Sequence, residues 1–161
     1  MKKYKDYTLQ NYLDVLSRKV PVPGGGSSAA FAAAMGAALV SMVANYSKGK
    51  NRSQKIESRI AKVLQQSERN RKRLLVLVDL DAQAYLGVVR TRGASDKVKR
   101  RALKIASDVP REVCQLCYRT IQLTPFLVKH GNPYLISDVI VAAEMLLAAF
   151  NSARVNVEVN S

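Results

Sequence analysis

Two aspartates, Asp79 and Asp81, interrupt the apolar stretch LLVLVDLDAQAY between residues 74 and 85. Isolating a carboxylate in a protein core costs on the order of several kcal/mol unless the group is paired or protonated. Desolvation also raises the pKa of a carboxyl group, which suits it to hold a cation or to accept a proton from water. The direction in which each aspartate points therefore decides whether this stretch carries chemistry.

The periodicity of the surrounding segment separates the two aspartates. From Ser53 onward, steps of three and four residues trace one face of a long helix. The residues on this face are Ile56, Ile60, Val63, Ser67, Asn70, Leu74, Leu77, Asp81, Tyr85 and Val88. The pattern predicts that Asp81 faces inward and that Asp79 points elsewhere. Asp81 is then either a structural carboxylate satisfied by donors of another helix or a functional group in a wet groove.

Three consecutive glycines, Gly24, Gly25 and Gly26, precede Ser27 in the sequence VPVPGGGSS. Backbone N–H groups exposed at the start of a helix could bind an anion or a polar ligand. The alternative is a tight turn that leads into a crowded helix. A dinucleotide-binding role is excluded, because no buried strand precedes the glycines and no acidic residue follows about 20 positions later.

A CxxC pair, Cys114 and Cys117, has the residue order of redox and zinc sites. Both cysteines fall inside a predicted helix, and the chain has a single histidine, His130. Because a zinc site needs four ligands, the sequence predicts no metal centre. We interpret the two cysteines as buried thiols.

Helix signals dominate the chain and predict an all-α, single-domain bundle of about six helices. The first helix begins after the N-cap Thr8. The second begins at Ser27 or Ser28, and its alanines and Gly36 allow neighbouring helices to approach closely. The third begins after Ser53 and is the long central helix.

Three more helices are predicted in the second half of the chain. One begins near Ser95, and the next begins near Pro110, a residue accepted in a first helical turn. Pro125 is expected to kink this fifth helix before it ends at His130. The last helix begins between residues 132 and 137. The tail VNVEVN alternates like a strand but has no partner, so its structure stays open.

The net charge of +14, from 26 basic and 12 acidic side chains, favours anionic partners such as nucleic acid, a membrane surface or a small polyanion. It is equally typical of a solvated basic face. The most apolar run has 16 residues, 29–44, and a membrane span needs about 20, so no membrane helix is predicted. The N-terminus lacks the apolar segment of a signal peptide, so we expect a cytoplasmic protein.

Three separated segments of the chain together resemble the motifs of one protein family. PVPGGGSSAAFAAAMGAALVSMV is similar to its opening, LVDLDAQAY to the segment that carries its acidic catalytic residue, and GNPYLISDVIVAAEMLLAAFNSARVNVEVN to its closing motif. This is the cyclodeaminase/cyclohydrolase family, which includes the C-terminal domain of formiminotransferase-cyclodeaminase and stand-alone methenyltetrahydrofolate cyclohydrolases. The match follows the family order over nearly the whole chain.

The resemblance implies an all-α homodimer with a folate site near the dimer interface. It implies hydrolysis of 5,10-methenyltetrahydrofolate to 10-formyltetrahydrofolate or, alternatively, closure of a formimino group onto N10 with loss of ammonia. The substrate is a tetrahydrofolate derivative, with or without a polyglutamate tail, and no metal or tightly bound cofactor is implied.

Site residues follow from the resemblance by position. Asp81 matches the acidic catalytic residue, and Asp138 in the closing motif is a second catalytic candidate. The substrate-binding candidates are Gly24, Gly25, Gly26, Ser27, Asn132 and Asn156.

The chain also departs from the family pattern. Family members continue past the closing motif into another helix, whereas this sequence stops at Ser161, so the domain 1–161 is expected to lack that helix. The sequence RTRG after the acidic helix and the strongly basic surface differ as well. A family member without catalysis, with a binding or structural role that includes nucleic acid, is therefore the alternative function.

Overall fold

The computed structural model of the protein describes residues 3–50 and 53–159. Within these ranges the chain is helical and forms no strand, which confirms the all-α prediction. The α-helices are α1 (Leu9–Leu16), α2 (Gly25–Ser47), α3 (Gln54–Arg90), α4 (Asp96–Ile121), α5 (Thr124–His130) and α6 (Ile136–Val159). Short 3₁₀ helices at Tyr4–Asp6 and Pro133–Leu135 precede α1 and α6.

Four long helices form the body of the bundle. α2 packs against α3 on one side and α6 on the other, and α4 closes the bundle by packing against α3 and α6. α5 lies against α6, and the 3₁₀ helix Tyr4–Asp6 lies against α3. This arrangement places one end of α2 next to the C-terminal half of α3 and the last turns of α6.

Small side chains allow α2 to occupy its central position. Ala30, Ala33 and Ala37 are fully buried in the core. At Gly36, an added Cβ would lie 2.8 Å from Leu146 Cγ of α6, so a larger residue would push the two helices apart. The predicted close approach is thus confirmed. The predicted start at Ser27 or Ser28 is wrong, because Gly25 already opens the helix.

α3 follows the prediction that the residues recurring from Ile56 to Val88 form one stripe along the helix. Ile60, Leu74 and Leu77 are fully buried, and the polar members of the stripe have partners on other helices. Ser67 Oγ lies 2.8 Å from Ser41 Oγ. Asn70 Nδ2 donates to Thr120 Oγ1 at 2.9 Å. This part of the stripe is therefore core rather than groove, because each polar group is satisfied within the bundle.

Two predicted boundaries in the second half are wrong. α4 continues through Pro110, which is buried between the buried residues Val109 and Val113. A proline inside a helix costs about 3 kcal/mol or more, and the continuous apolar face of α4 against α3 and α6 offsets this cost. Pro125 does not kink a helix, because it lies in the first turn of the separate helix α5, where its missing N–H is tolerated.

The alternating tail is helical as far as Val159, because its apolar residues extend α6, and Asn160 lies outside the described residues. Two segments, Gly25–Ser47 and Pro133–Val159, have the length and apolar composition of a membrane span. Core helices of globular proteins meet the same criterion, and most of the apolar window in α2 is buried. α6 differs, because large apolar side chains such as Ile140, at 55% exposure, stand on its outer face.

Candidate active site

A cavity of about 350 Å³ lies beside the C-terminal half of α3, with Asp81 in its wall. α2, α3, α4 and α6 all contribute to it. The lining residues are Pro21, Val22, Gly24, Gly25, Gly26, Asp81, Tyr85, Val88, Ala106, Asn156 and Val159. This lining contains one carboxylate and no lysine, arginine or histidine, so the cavity is negatively charged when Asp81 is ionised.

The Asp81 carboxyl group is held at this wall without a counter-ion. Burial raises the pKa of Asp81, and the backbone N–H of Ser27, which donates to the carboxylate, opposes part of that rise. No ion pair within the described ranges includes Asp81. A carboxylate in this state attracts a cation and readily accepts a proton. The inward orientation predicted for Asp81 is confirmed.

The glycine turn is shaped by its approach to this carboxylate. A Cβ added at Gly26 would lie 2.6 Å from Asp81 Cγ and would overlap the carboxylate oxygens, so only glycine fits here. Gly24 is the N-cap residue of α2, and Gly25 begins the helix. Ser27 reaches the site through its N–H alone, because its hydroxyl lies 3.0 Å from the hydroxyl of Tyr12. The first turn of α2 thus presents one backbone donor, the N–H of Ser27, to Asp81.

Asn156 forms the side of the cavity that belongs to α6. Its Nδ2 donates to the carbonyl of Ser152 at 2.9 Å, one turn earlier in the same helix. Its Oδ1 faces Gly25, where an added Cβ would lie at 4.0 Å. The structure therefore brings Asn156 together with the glycines and Asp81, as expected for a substrate-binding residue.

Asn132 and Asp138 lie at the opposite end of the bundle. The N–H of Asn132 donates to Ser47 Oγ at 2.8 Å, and Ser47 is the last residue of α2, whereas the cavity lies at its first turn. A helix of 23 residues is about 34 Å long. Asp138 lies in the first turn of α6, far from Asn156 near its end. Within one chain these two candidates do not reach the cavity.

Asp79 does not behave as predicted, because it is buried, with 7% of its surface exposed. Its Oδ1 accepts a hydrogen bond from the N–H of Tyr4 at 2.6 Å. The 3₁₀ helix Tyr4–Asp6 covers this side of α3, a contact between residues 75 positions apart that helix periodicity does not encode. Asp79 Oδ2 is also buried and has no hydrogen-bond partner in the described part of the chain.

Both cysteines are free thiols, but only Cys117 is buried as interpreted from the sequence, whereas Cys114 is half-buried. Burial raises the pKa of Cys117 to about 12, so its thiol stays protonated. Cys114 Sγ donates to the carbonyl of Phe150 at 3.6 Å. Across residues 3–50 and 53–159, no three His, Cys, Asp or Glu side chains cluster in a way that could hold a metal ion.

Residues 8–161 match the model of the protein family described as "Formiminotransferase-cyclodeaminase". The chain belongs to this family. The cyclodeaminase/cyclohydrolase resemblance of the three sequence motifs is thereby confirmed.

Individual members of the formiminotransferase-cyclodeaminase family agree with this placement. The chain is 38% identical to a methenyltetrahydrofolate cyclohydrolase of Methylorubrum extorquens, over 96% of this chain and 79% of that protein. It is 34% identical to a formimidoyltransferase-cyclodeaminase of Gallus gallus, over 86% of this chain and 27% of that protein. A crystal structure of formiminotetrahydrofolate cyclodeaminase from Thermotoga maritima matches with a TM-score of 0.93 and 29% identity, covering 97% of this chain and 79% of that one.

The structure of this family member also adds site residues that sequence reasoning did not assign. Tyr85 and Val88 line the cavity, and both were on the predicted stripe, one and two turns after Asp81. Their spacing from Asp81 along the helix could therefore have identified them as cavity-lining residues. Ala106 of α4 and Val22 also line the cavity, but no local pattern connects them with Asp81.

Proposed function

We propose that this protein hydrolyses 5,10-methenyltetrahydrofolate to 10-formyltetrahydrofolate. The observation that carries this proposal is the Asp81 carboxylate, which faces a cavity of about 350 Å³ whose lining supplies no cation. A delocalised cation on an N–C–N bridge is the charge that such a wall stabilises best. The 38% identity to a protein named methenyltetrahydrofolate cyclohydrolase supports the same assignment.

The reaction requires one group that moves protons, and Asp81 is placed for this role. Water adds to the bridging carbon while the Asp81 carboxylate accepts one of its protons. The bond between that carbon and N5 then breaks, N5 takes the proton from Asp81, and the formyl group stays on N10. The second proton of the water leaves to solvent, so the cationic substrate becomes a neutral formyl product.

The N–H of Ser27 keeps the carboxylate oriented through both steps, because it donates to Asp81 from the rigid first turn of α2. Burial also favours the proton transfer, because the raised pKa makes Asp81 a better base than an exposed carboxylate. Gly26 permits the close contact between the first turn of α2 and the Asp81 side chain of α3.

Cyclodeaminase activity is the second candidate function. The structural likeness to the Thermotoga maritima cyclodeaminase, with a TM-score of 0.93, favours it. That reaction also passes through a cationic N–C–N unit, and Asp81 would donate a proton to the departing ammonia. The two activities therefore share one site and differ in the nitrogen that is displaced.

The first experiment follows the loss of methenyltetrahydrofolate absorbance with wild-type protein, Asp81→Asn and a buffer blank. Asp81→Asn keeps the size of the side chain and is expected to lower kcat at least about 10³-fold, because it removes both the charge and the base. Asp108→Asn on the exposed face of α4 is the matched control and should retain wild-type turnover. A fully active Asp81→Asn protein would refute the assignment of Asp81, and a wild type at the blank rate would refute the cyclohydrolase activity. Ammonia release from formiminotetrahydrofolate then tests the second candidate.

A basic corner between α3 and α4 supports a polyglutamylated substrate. Its exposed side chains are Arg90, Arg92, Lys97, Arg100, Arg101 and Lys104. In the part of the chain that the structure describes, none of the six is in an ion pair. The corner follows directly after Tyr85 and Val88 of the cavity lining, so an anionic tail leaving the cavity along α3 would meet it.

The tail assignment predicts a lower KM for a pentaglutamate substrate than for the monoglutamate, by about tenfold, with the difference shrinking as salt increases. Arg90→Ser combined with Arg92→Ser should reduce that difference and leave the monoglutamate kinetics unchanged. Equal KM values for both substrates would overturn the assignment. Tight, steeply salt-dependent binding of RNA or DNA would instead support nucleic acid as the partner of this corner.

An apolar face formed by α2 and α6 supports a homodimer. Side chains of α2 recur here at steps of four and three residues: Ser28, Ala32, Met35, Leu39, Met42 and Tyr46. Beside them α6 exposes Ile140, Val141, Leu147 and Val155, at 49% to 55%. A shallow groove joins the two helices between Ala32 and Val155. A stripe of this spacing is typical of helices that pack against another copy.

The dimer also accounts for the separated site residues. α2 and α6 run in opposite directions, since Gly25 lies near Asn156 and Ser47 contacts Asn132. A two-fold axis across the middle of the apolar face would therefore place the Asn132 end of one chain against the cavity end of the other. Asn132 and Asp138 would then belong to the site across the interface.

Sedimentation of wild type against Met35→Asp tests the dimer. A charge in the middle of the stripe is expected to shift the protein from dimer to monomer and to lower turnover with it. Val98→Asp, with a similarly exposed residue on α4, is the control and should remain dimeric. A wild type that sediments as a monomer at micromolar concentration would rule the homodimer out.

A further inference from the structure

An aromatic cluster from the first part of the chain covers the outer side of the glycine turn. The Tyr4 ring lies 5.4 Å from Tyr7 and 6.4 Å from Tyr12, in edge-on contacts. Tyr12 in turn packs against Phe31 of α2 at 5.3 Å. Tyr12 is 5% exposed, so the cluster is a fixed part of the core.

Two hydroxyl groups of this cluster hold the two ends of the turn. Tyr4 OH donates to the carbonyl of Val22 at 3.2 Å, just before the glycines. The hydroxyls of Tyr12 and Ser27 lie 3.0 Å apart, just after the glycines, and both are buried. Val22 lines the cavity, and Ser27 donates its N–H to Asp81. Each tyrosine is therefore one hydrogen bond away from a group that shapes the site.

The same cluster is anchored on α3 beside Asp81. The N–H of Tyr4 donates to Asp79 Oδ1 at 2.6 Å, a short bond to a buried carboxylate. Asp79 and Asp81 are two residues apart on a rigid helix. Hydrogen bonds link Asp79 to Tyr4 and Tyr4 to Val22, the backbone of the turn links Val22 to Ser27, and the Ser27 N–H returns to Asp81. This closed path fixes the turn relative to the helix that carries the carboxylate.

We propose that Tyr4 and Tyr12 are positioning residues that hold the glycine turn in register with the Asp81 carboxylate. Neither touches the cavity, and they act through Val22 and Ser27 respectively. Tyr4 precedes residue 8, where the family match begins, and Tyr12 lies within the match. We call the contacts of the Tyr4 and Tyr12 hydroxyls with Val22 and Ser27 together the clamp. The kinetic consequences rest on the proposed cyclohydrolase function, whereas the geometric ones do not.

Single Tyr→Phe variants test the clamp, because they remove one hydroxyl and keep the ring packing. Tyr12→Phe frees Ser27 and is expected to lower kcat about fivefold with less than a twofold change in KM, since Asp81 loses orientation. Tyr4→Phe frees the Val22 carbonyl in the cavity wall and is expected to raise KM about threefold with kcat nearly unchanged. Tyr118→Phe, whose ring is 60% exposed, should match wild type in both constants.

The pH profile separates positioning from a general loss of folded protein. A weakened Ser27 N–H bond should move the acid limb of kcat for Tyr12→Phe to higher pH, by about half a unit. The neighbouring helices α2, α4 and α6 present no other titratable side chain to Asp81 in this cavity, and Tyr85 of α3 is unchanged by the substitution. Partial unfolding would instead lower kcat by the same factor at every pH and leave the acid limb at its wild-type pH. An unmoved limb at reduced kcat would overturn the positioning role.

A substrate-free measurement keeps the test independent of the proposed reaction. Amide hydrogen exchange of Ser27 should be at least about fivefold faster in Tyr12→Phe, while amides in the middle of α4 keep wild-type rates. If the wild type turns out to be inactive, the proposed function fails and this exchange result still decides the clamp. Equal Ser27 exchange in Tyr12→Phe and wild type would overturn it.

Discussion

Asp79 and Asp81 lie two residues apart on α3 and occupy opposite kinds of environment. Asp79 is the more buried of the two, and it is covered by the protein's own N-terminal segment through the bond from Tyr4. Asp81 is less buried, yet it faces an open cavity with one backbone donor and, within residues 3–50 and 53–159, no counter-ion. Burial alone would favour Asp79 over Asp81, the residue proposed to act in catalysis. In the described part of the chain no cation covers the charge of Asp81, and this is why we propose Asp81 as the catalytic carboxylate.

After Asp81→Asn itself, the largest expected loss of activity comes from closing the gap between the turn and Asp81. Gly26→Ala places a methyl group onto the carboxylate, so either the turn or the Asp81 side chain must move. We expect kcat/KM to fall about 100-fold, because a displacement of 1 Å at a reacting group costs this much. Gly87→Ala on α3, where an added Cβ meets open space, should keep full activity and slightly raise Tm. Wild-type turnover by Gly26→Ala would contradict the contact that defines the site.

A stability effect is expected on the other side of α3. Asp79→Ala leaves the N–H of Tyr4 without its partner and should lower the free energy of unfolding by about 1–3 kcal/mol. Turnover should fall far less than in Asp81→Asn, because the substitution reaches the cavity only through Tyr4. Urea denaturation of the two variants side by side measures the contrast. If Asp79→Ala were as stable as wild type but inactive, the roles of the two carboxylates would be reversed.

The third prediction concerns the sign of the Asp81 contribution to stability. Because burial raises its pKa in the folded state, Asp81 favours folding below its ordinary pKa, and this contribution is lost as the pH rises through the folded-state value. At neutral pH the ionised, uncompensated carboxylate therefore destabilises the ligand-free protein.

Asp81→Asn is accordingly expected to raise Tm at pH 7 while it removes turnover, and the gain should vanish near pH 3, below the ordinary value of 3.8. Thermal unfolding followed by circular dichroism at both pH values tests this. A lower Tm of the variant at pH 7 would mean that the protein satisfies the carboxylate in a way that the cavity does not reveal.

Local periodicity predicted the parts of the site that lie on one helix. The steps from Ile60 to Asp81 predicted the inward face of α3, and the N-cap signal of Thr8 located the start of α1. Contacts between distant segments could not be obtained in this way. The burial of Asp79 depends on Tyr4, and the cavity wall at Ala106 depends on how α4 crosses α3.

The sequence rule for proline wrongly predicted a helix boundary at Pro110. A proline in a first helical turn leaves no N–H unsatisfied, which predicts a helix start at Pro110, but the apolar face of α4 continues on both sides of this residue. The packing of Val109 and Val113 against the bundle outweighs the missing hydrogen bond. The positions of Asn132 and Asp138 depend on the arrangement of whole helices, which the spacing of their motif does not contain.

The central position of α2 has a consequence for how the chain is made. Synthesis completes this alanine-rich helix early, whereas α6, one of its two main packing partners, begins about 90 residues later. Translation proceeds at about 5–20 residues per second, so one apolar side of α2 stays uncovered for roughly 5 to 18 seconds. During that interval α3 is the first long helix that can pack against α2. Because α2 needs α6 to bury this side, the interval before α6 is made is the one in which its apolar surface is most exposed to aggregation.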